Sequence, residues 1–153
     1  MEALAEEAPR VSIRFARTGD GLRCAEIFLH GRRRAFPWQP EERFRLDDYY
    51  DCVEEDEVLV AELDGTVVGF VSIDTPDRFI HTLFIDPVWR GRGIGTALLR
   101  EALLLLEGSA HLACAARNAA ARAFYEHNGW TPVPNPRPDG EPDPLVVYRK
   151  SPA

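Results

Sequence analysis

The stretch His81-Thr-Leu-Phe-Ile-Asp-Pro-Val-Trp-Arg90-Gly-Arg-Gly-Ile-Gly95-Thr-Ala-Leu-Leu99 reads as a strand, a break, a glycine-rich turn and the start of a helix. Residues 79–85 are apolar and β-branched enough for a buried strand. Pro87 ends that run, because it has no N–H to give a ladder and biases Asp86 away from helix. Gly91, Gly93 and Gly95 follow, flanked by Arg90 and Arg92, and then Ile94, Ala97, Leu98, Ala102 and Leu105 recur at helical spacing. Glycines at a helix start leave backbone N–H groups that no side chain covers. Together with the helix dipole and two arginines, those groups suit a phosphate or pyrophosphate.

On either side of this stretch the chain alternates strands and helices. Upstream, Val11 to Arg17 alternates as a half-buried strand, and Thr18-Gly-Asp20 offers capping chemistry for a helix that fades near Gly31 to Arg34. Ala35 to Pro40 is an aromatic-rich loop, and Glu41 to Asp51 resumes helical character. Glu57–Glu62 and Thr66–Asp74 are strands joined by the hairpin signal Asp64-Gly65. Downstream, Ala110 to Ala116 is a short strand, and Asn118 caps a helix that stops at Gly129. Trp130 to Val133 and Leu145 to Lys150 are strands on either side of a proline-rich loop at 134–144. The hairpin must be antiparallel, whereas the strand–helix–strand unit from 79 to 116 should be parallel with a right-handed crossover, so the sheet is mixed.

The chain has 153 residues, which suits a single domain over 1–153 with a loose tail at 1–10. Hydrophobic content of 45% and charged content of 28% are those of an ordinary globular protein. A net charge of −7 argues against nucleic acid as the main partner. Cys24, Cys52 and Cys114 have neither metal-binding nor disulfide spacing, so the expectation is no metal and a reducing, cytoplasmic setting. No apolar run is long enough to span a bilayer, and the acidic N-terminus is neither signal peptide nor anchor.

Which anion the glycines hold is a question of spacing. A dinucleotide fingerprint needs Gly or Ala three positions after its second glycine, and Thr96 stands there instead. No Gly-Lys-Ser/Thr exists, which removes a Walker loop. Ile85-Asp-Pro87-Val-Trp-Arg90-Gly-Arg-Gly93-Ile-Gly95 instead resembles the acyl-CoA-binding motif of the GNAT N-acetyltransferase superfamily. Asn118-Ala-Ala-Ala-Arg-Ala-Phe124-Tyr125-Glu-His-Asn-Gly129-Trp130 resembles that family's second motif, with Trp130 where Phe is usual. The resemblance covers nearly the whole chain. It implies an α/β fold of the α+β type: a mixed, mostly antiparallel sheet of about seven strands, four flanking helices and a parallel strand pair splayed around acyl-CoA. It also implies acetyl-CoA as co-substrate, an amine as acceptor, and either a monomer or a homodimer.

Site residues follow from the same resemblance. The backbone from Arg90 through Gly91, Arg92, Gly93, Ile94 and Gly95 to Thr96 would wrap the CoA pyrophosphate, and Leu83, Phe84 and Ile85 would pair with the pantetheine arm. Tyr125 would stabilise or protonate the departing thiolate, since a phenol stays protonated near neutral pH; the structural alternative is an aromatic packing beside Phe124. Asn118 would cap its helix, face the cofactor, or both. An acceptor ammonium must lose a proton before it attacks. His81 stands where many relatives carry Glu, so it is either the base or a satisfied, half-buried histidine; His30, Asp74 and Asp77 are further candidates. The acceptor pocket would come from His30 to Trp38, with Phe36 and Trp38 as an aromatic wall, and from His81, with Tyr49 and Tyr50 as possible additions. Arg32 to Arg34 would either recognise an acidic group on the acceptor or form a solvated helix end. Cys114 reads as a small buried thiol rather than a nucleophile. A non-catalytic acyl-CoA-binding module remains the alternative to an N-acetyltransferase.

Overall fold

The computed structural model describes residues 11–135 and 144–151. The tail expected at 1–10 and most of the loop expected at 134–144 lie outside the described residues. In chain order the elements are β1 (Ser12–Phe15), α1 (Gly21–Ala35), α2 (Asp48–Cys52), β2 (Glu57–Leu63), β3 (Thr66–Asp74), β4 (Phe79–Ile85), α3 (Ile94–Leu105), β5 (Ala110–Ala115), α4 (Ala119–His127), β6 (Thr131–Val133) and β7 (Leu145–Lys150). The strands form one seven-stranded sheet in the order β1-β2-β3-β4-β5-β7-β6. Every neighbouring pair is antiparallel except β4–β5, which is parallel. The mixed, mostly antiparallel sheet with its four α-helices is the architecture that the resemblance implies.

Both faces of the sheet are covered, so β2 and β3 read as continuous apolar runs rather than alternating ones. On one face Leu59, Ala61, Val71, Ile73 and Ile80 pack with Ile94, Leu98 and Ala102 of α3. On the other, Val58, Val60 and Phe70 pack with Cys24, Ala25 and Phe28 of α1 and Tyr49 of α2. The Asp64-Gly65 turn has positive φ at both positions (52° and 80°), the geometry that joins right-twisted strands tightly. No helix among the described residues is long and apolar enough to cross a membrane.

Two elements depart from the sequence reading. The first helix does not fade at Gly31 but runs to Ala35. Contacts beyond its own backbone hold the last turn: the Arg32 guanidinium lies over the rings of Phe28 (4.3 Å) and Phe44 (4.8 Å) and pairs with Asp48, while Arg33 donates to the carbonyls of Glu41 and Phe44 at 3.2 Å each. These two arginines therefore tie the end of α1 to the segment that follows it. The second departure is at Glu41 to Asp51, which is a 3-10 turn at Glu41–Arg43, a break, and then α2. Phe44 takes extended geometry (φ −101°, ψ 125°) and its side chain is buried, so tertiary burial of one ring outweighs helical continuity.

Candidate active site

The site begins where the parallel pair comes apart. β4 and β5 pair only at Phe79 with His111 and Ile80 with Leu112. Next comes His81, an extra residue in β4, because Ser72 of β3 faces Thr82 while the next residue, Ile73, faces Ile80. A bulge of this kind bends a strand and increases its twist. Beyond it the β5-facing backbone groups of Leu83 to Ile85 have no ladder partner. This edge forms one wall of a cleft of about 480 Å³. Its other walls are the turn after β4, the start of α3, one side of α4 from Ala120 to Tyr125 and the end of α1.

Asp86 and its partners shape the turn at the end of β4. The Asp86 carboxylate accepts from the Val88 N–H (3.0 Å) and pairs with Arg23 of α1, whose Nε also donates to the Val67 carbonyl (3.0 Å). Burial opposes its ionisation, and the Val88 N–H and Arg23 outweigh that, holding the carboxyl below its usual range. Gly91 (φ 76°) and Gly93 (φ 79°) then take left-handed geometry, which glycine adopts without cost. From Gly91 to Thr96 no backbone N–H donates to a protein acceptor among the described residues; the first helical bond of α3 runs from the Ala97 N–H to the Gly93 carbonyl (3.0 Å). This is a run of unpartnered donors at the positive end of a helix, the setting for an anion. The Thr96 hydroxyl donates to Asn128 Oδ1 (3.1 Å), and Gly95 lets Phe124 approach closely, so α3 and α4 are held together at this end.

The far wall carries the second motif. Asn118 caps α4 by accepting from the Ala121 N–H at 3.0 Å, and it also lines the cleft. Tyr125 lines the cleft too, with its ring against Phe124 (5.3 Å between centroids), Tyr148 (6.0 Å) and Trp130 (6.3 Å). Its hydroxyl has no hydrogen-bond partner among the described residues. Burial pushes that phenol above its usual range. Burial also pushes the Cys114 thiol up to about 11, which leaves little thiolate at neutral pH.

The fold thus gathers Leu83, Phe84, Ile85, Arg90, Gly91, Gly93, Ile94, Gly95, Thr96, Asn118 and Tyr125 around one cleft. Arg92 stands outside the lining, with its guanidinium 4.9 Å from the centre of the Trp89 ring. Of the segment expected to form the acceptor pocket, His30 to Trp38, the residues Gly31, Arg34 and Ala35 line the cleft, whereas His30, Phe36 and Trp38 stand outside its lining. His30 is exposed on α1. Phe36 packs on Trp38 (5.6 Å) and Phe44 (5.9 Å), and Trp38 receives the Arg117 guanidinium at 4.9 Å. Tyr49 is in the core and Tyr50 is exposed.

His81 lies outside the cleft lining, two residues before Leu83 on the same strand. Its Nδ1 is 2.7 Å from Asp56 Oδ2, a pairing that sequence reasoning missed. Asp56 sits in the run Glu54-Glu55-Asp56-Glu57, which reads as a solvated turn, and nothing local marks one member of it as buried. Gly31 and Arg34 of α1, within the segment expected to form the acceptor pocket, also line the cleft. The signal for Gly31 was present, since glycine inside a helical pattern marks close packing.

The chain is similar to a known family and to individual proteins. The profile of the acetyltransferase (GNAT) family matches residues 23–130. An uncharacterised N-acetyltransferase of Archaeoglobus fulgidus is 42% identical over 47% of this chain and 58% of its own length. The chain therefore spans little more than half of that relative. The N-alpha-acetyltransferase RimI of Mycobacterium tuberculosis is 32% identical over 74% of each chain. The structure of the PaiA N-acetyltransferase of Thermoplasma acidophilum in complex with coenzyme A superposes with a TM-score of 0.76 at 19% identity, covering 90% of this chain and 98% of that one. At that identity the likeness is one of fold.

Proposed function

The chain belongs to the acetyltransferase (GNAT) family, and from that premise we propose that it moves an acetyl group from acetyl-CoA to a primary amine by direct attack within a ternary complex. One observation carries the proposal: the unpartnered N–H groups from Gly91 to Thr96, the open edge of β4 and the Tyr125 hydroxyl all border one cleft. The N–H array would take the pyrophosphate, and the free amides and carbonyls of Leu83 to Ile85 would bond the pantetheine arm as an added strand does. Backbone N–H groups near the break would polarise the thioester oxygen. The coenzyme A complex of the Thermoplasma PaiA protein, which shares the fold, supports the same cofactor here.

In the reaction the amine lone pair forms a C–N bond to the carbonyl carbon, and the C–S bond then breaks. Because burial raises the Tyr125 phenol above an already weak acidity, full proton transfer to a thiolate of ordinary pKa about 8.5 is uphill. Tyr125 therefore acts chiefly by donating a hydrogen bond to the leaving sulfur. His81 would accept the ammonium proton. All three cysteines are unpaired, which supports a reducing, cytoplasmic setting for this domain.

The test is release of thiol from acetyl-CoA with a panel of amines, run beside Tyr125→Phe. Turnover with at least one amine is expected, with Tyr125→Phe slowing it ~10²-fold at unchanged acetyl-CoA affinity. Failure to bind acetyl-CoA would sink the reading. The second reading, an acyl-CoA-binding module without turnover, draws on His81 standing outside the cleft lining. Tight binding with no turnover on a broad panel would select it.

A further inference from the structure

We propose that Asp56 is a positioning residue: by holding the Nδ1–H of His81 it leaves Nε2 as the lone pair that takes the acceptor ammonium's proton. This deepens the acetyltransferase reading and rests on it.

The hydrogen bond sets the tautomer. Asp56 Oδ2 is 2.7 Å from Nδ1, and an ionised carboxylate only accepts, so Nδ1 carries the hydrogen and the neutral ring's lone pair is on Nε2. The pair is unequal in a way that surface ion pairs are not. The Asp56 side chain is 4% exposed and that of His81 is 37% exposed. The carboxylate is thus sealed within the protein while the imidazole meets solvent, so an incoming amine or a bridging water can reach only the ring.

Two further features hold the ring in place. His81 is the extra residue of the β4 bulge, and its ring packs against Phe79 on the same strand at 5.4 Å between centroids. A bulge re-aims the side chain of its extra residue, and the β3–β4 pairing shifts by one position across it. The ring's strand leads directly into the cleft, whose lining begins two residues further on at Leu83.

Two acidic side chains stand close to the ring. Asp56 comes from the connection between α2 and β2, and Asp74 closes β3. An Asp74 carboxylate oxygen lies within 4.8 Å of the interacting atoms of the other two, while its Oδ1 accepts from the Asp77 N–H at 3.1 Å.

The proton moves from the acceptor ammonium to Nε2, directly or through water, leaving a neutral amine free to attack. His81 passes the proton to solvent between turnovers.

A double-mutant cycle tests this in the full chain, with acetyl-CoA and a panel of putrescine, lysine methyl ester and a short peptide with a free N-terminus. Asp56→Asn is expected to lower kcat/KM for the amine ~10- to 10²-fold, with KM for acetyl-CoA unchanged. In a His81→Gln background Asp56→Asn should cost nothing more, because the two residues act as one unit. An equal loss in that background would overturn the proposal while leaving the acetyltransferase reading standing. Absence of turnover with every amine would overturn both. If Asp56→Asn does not fold, ring-nitrogen NMR of the unaltered chain decides: hydrogen on Nδ1 supports the proposal and hydrogen on Nε2 overturns it.

Discussion

Gly31 lies in the middle of a helix, where a Cβ would stand 2.2 Å from Cδ1 and 2.9 Å from Cε1 of Phe84. That ring cannot step aside, because Phe28 (5.4 Å) and Phe70 (6.2 Å) pack against it. Gly31→Ala must therefore push α1 off the sheet or distort β4, at a cost of ~1–3 kcal/mol for overpacking. Urea unfolding would measure this, and an unchanged midpoint would refute the close packing. Since Phe84 also lines the cleft, the same substitution should weaken acetyl-CoA binding. The residue scale is also where sequence reasoning was weakest. Tyr125 could be picked out because it sits in a motif, and its position on the cleft follows from α4 being a helix. Asp56 could not, because its partner is 25 positions away and the contact exists only once β2 and β4 lie in one sheet.

At the scale of elements, β3, β4 and β7 occupy the spans read from their patterns, because apolar runs bounded by turn chemistry carry that information locally. The α4 cap was equally local: Asn118 Oδ1 satisfies an N–H that the helix leaves unbonded. Asn118→Ala should cost about 1 kcal/mol of stability and loosen the far wall of the cleft. Thermal melting with and without CoA would separate the two effects, and a variant as stable as the parent would rule out the cap as the residue's contribution. The first two helices were harder to read. α1 gains its last turn from Arg32 and Arg33 reaching the α2 region, and the second helical stretch breaks so that Phe44 can be buried. Neither contact has a local signature. The bulge in β4 is similar, since it is a property of the β3–β4 pairing and not of either strand alone.

Across the whole molecule, three aspartates join elements that are distant in sequence. Asp20, ahead of α1, pairs with Arg14 of β1; Asp48 of α2 pairs with Arg32 of α1; Asp86, after β4, pairs with Arg23 of α1. All three carboxyls are held below the usual range: Asp20 chiefly by the Arg14 side chain, Asp48 by the Arg45 N–H and then Arg32, and Asp86 by the Val88 N–H and Arg23 against the opposing effect of burial. A carboxyl whose folded pKa is depressed stabilises the fold above its unfolded value of about 3.9, and that contribution disappears as pH falls through the folded value. The melting temperature should therefore stay level from about pH 8 to 5 and fall below about pH 4. A fall confined to the range above pH 5 would contradict this. Local chemistry was sufficient for the strand–turn–helix that holds the anion and for its companion helix. Glycine's tolerance of positive φ, proline's missing N–H and helical periodicity act over a few residues and need no distant partner. The splay of β4 from β5, the bulge that turns out His81, the buried carboxylate behind that ring and the close seat of Gly31 on Phe84 all depended on the folded sheet. Each is a contact between segments far apart in the chain, and only packing decides which of several equivalent side chains will meet.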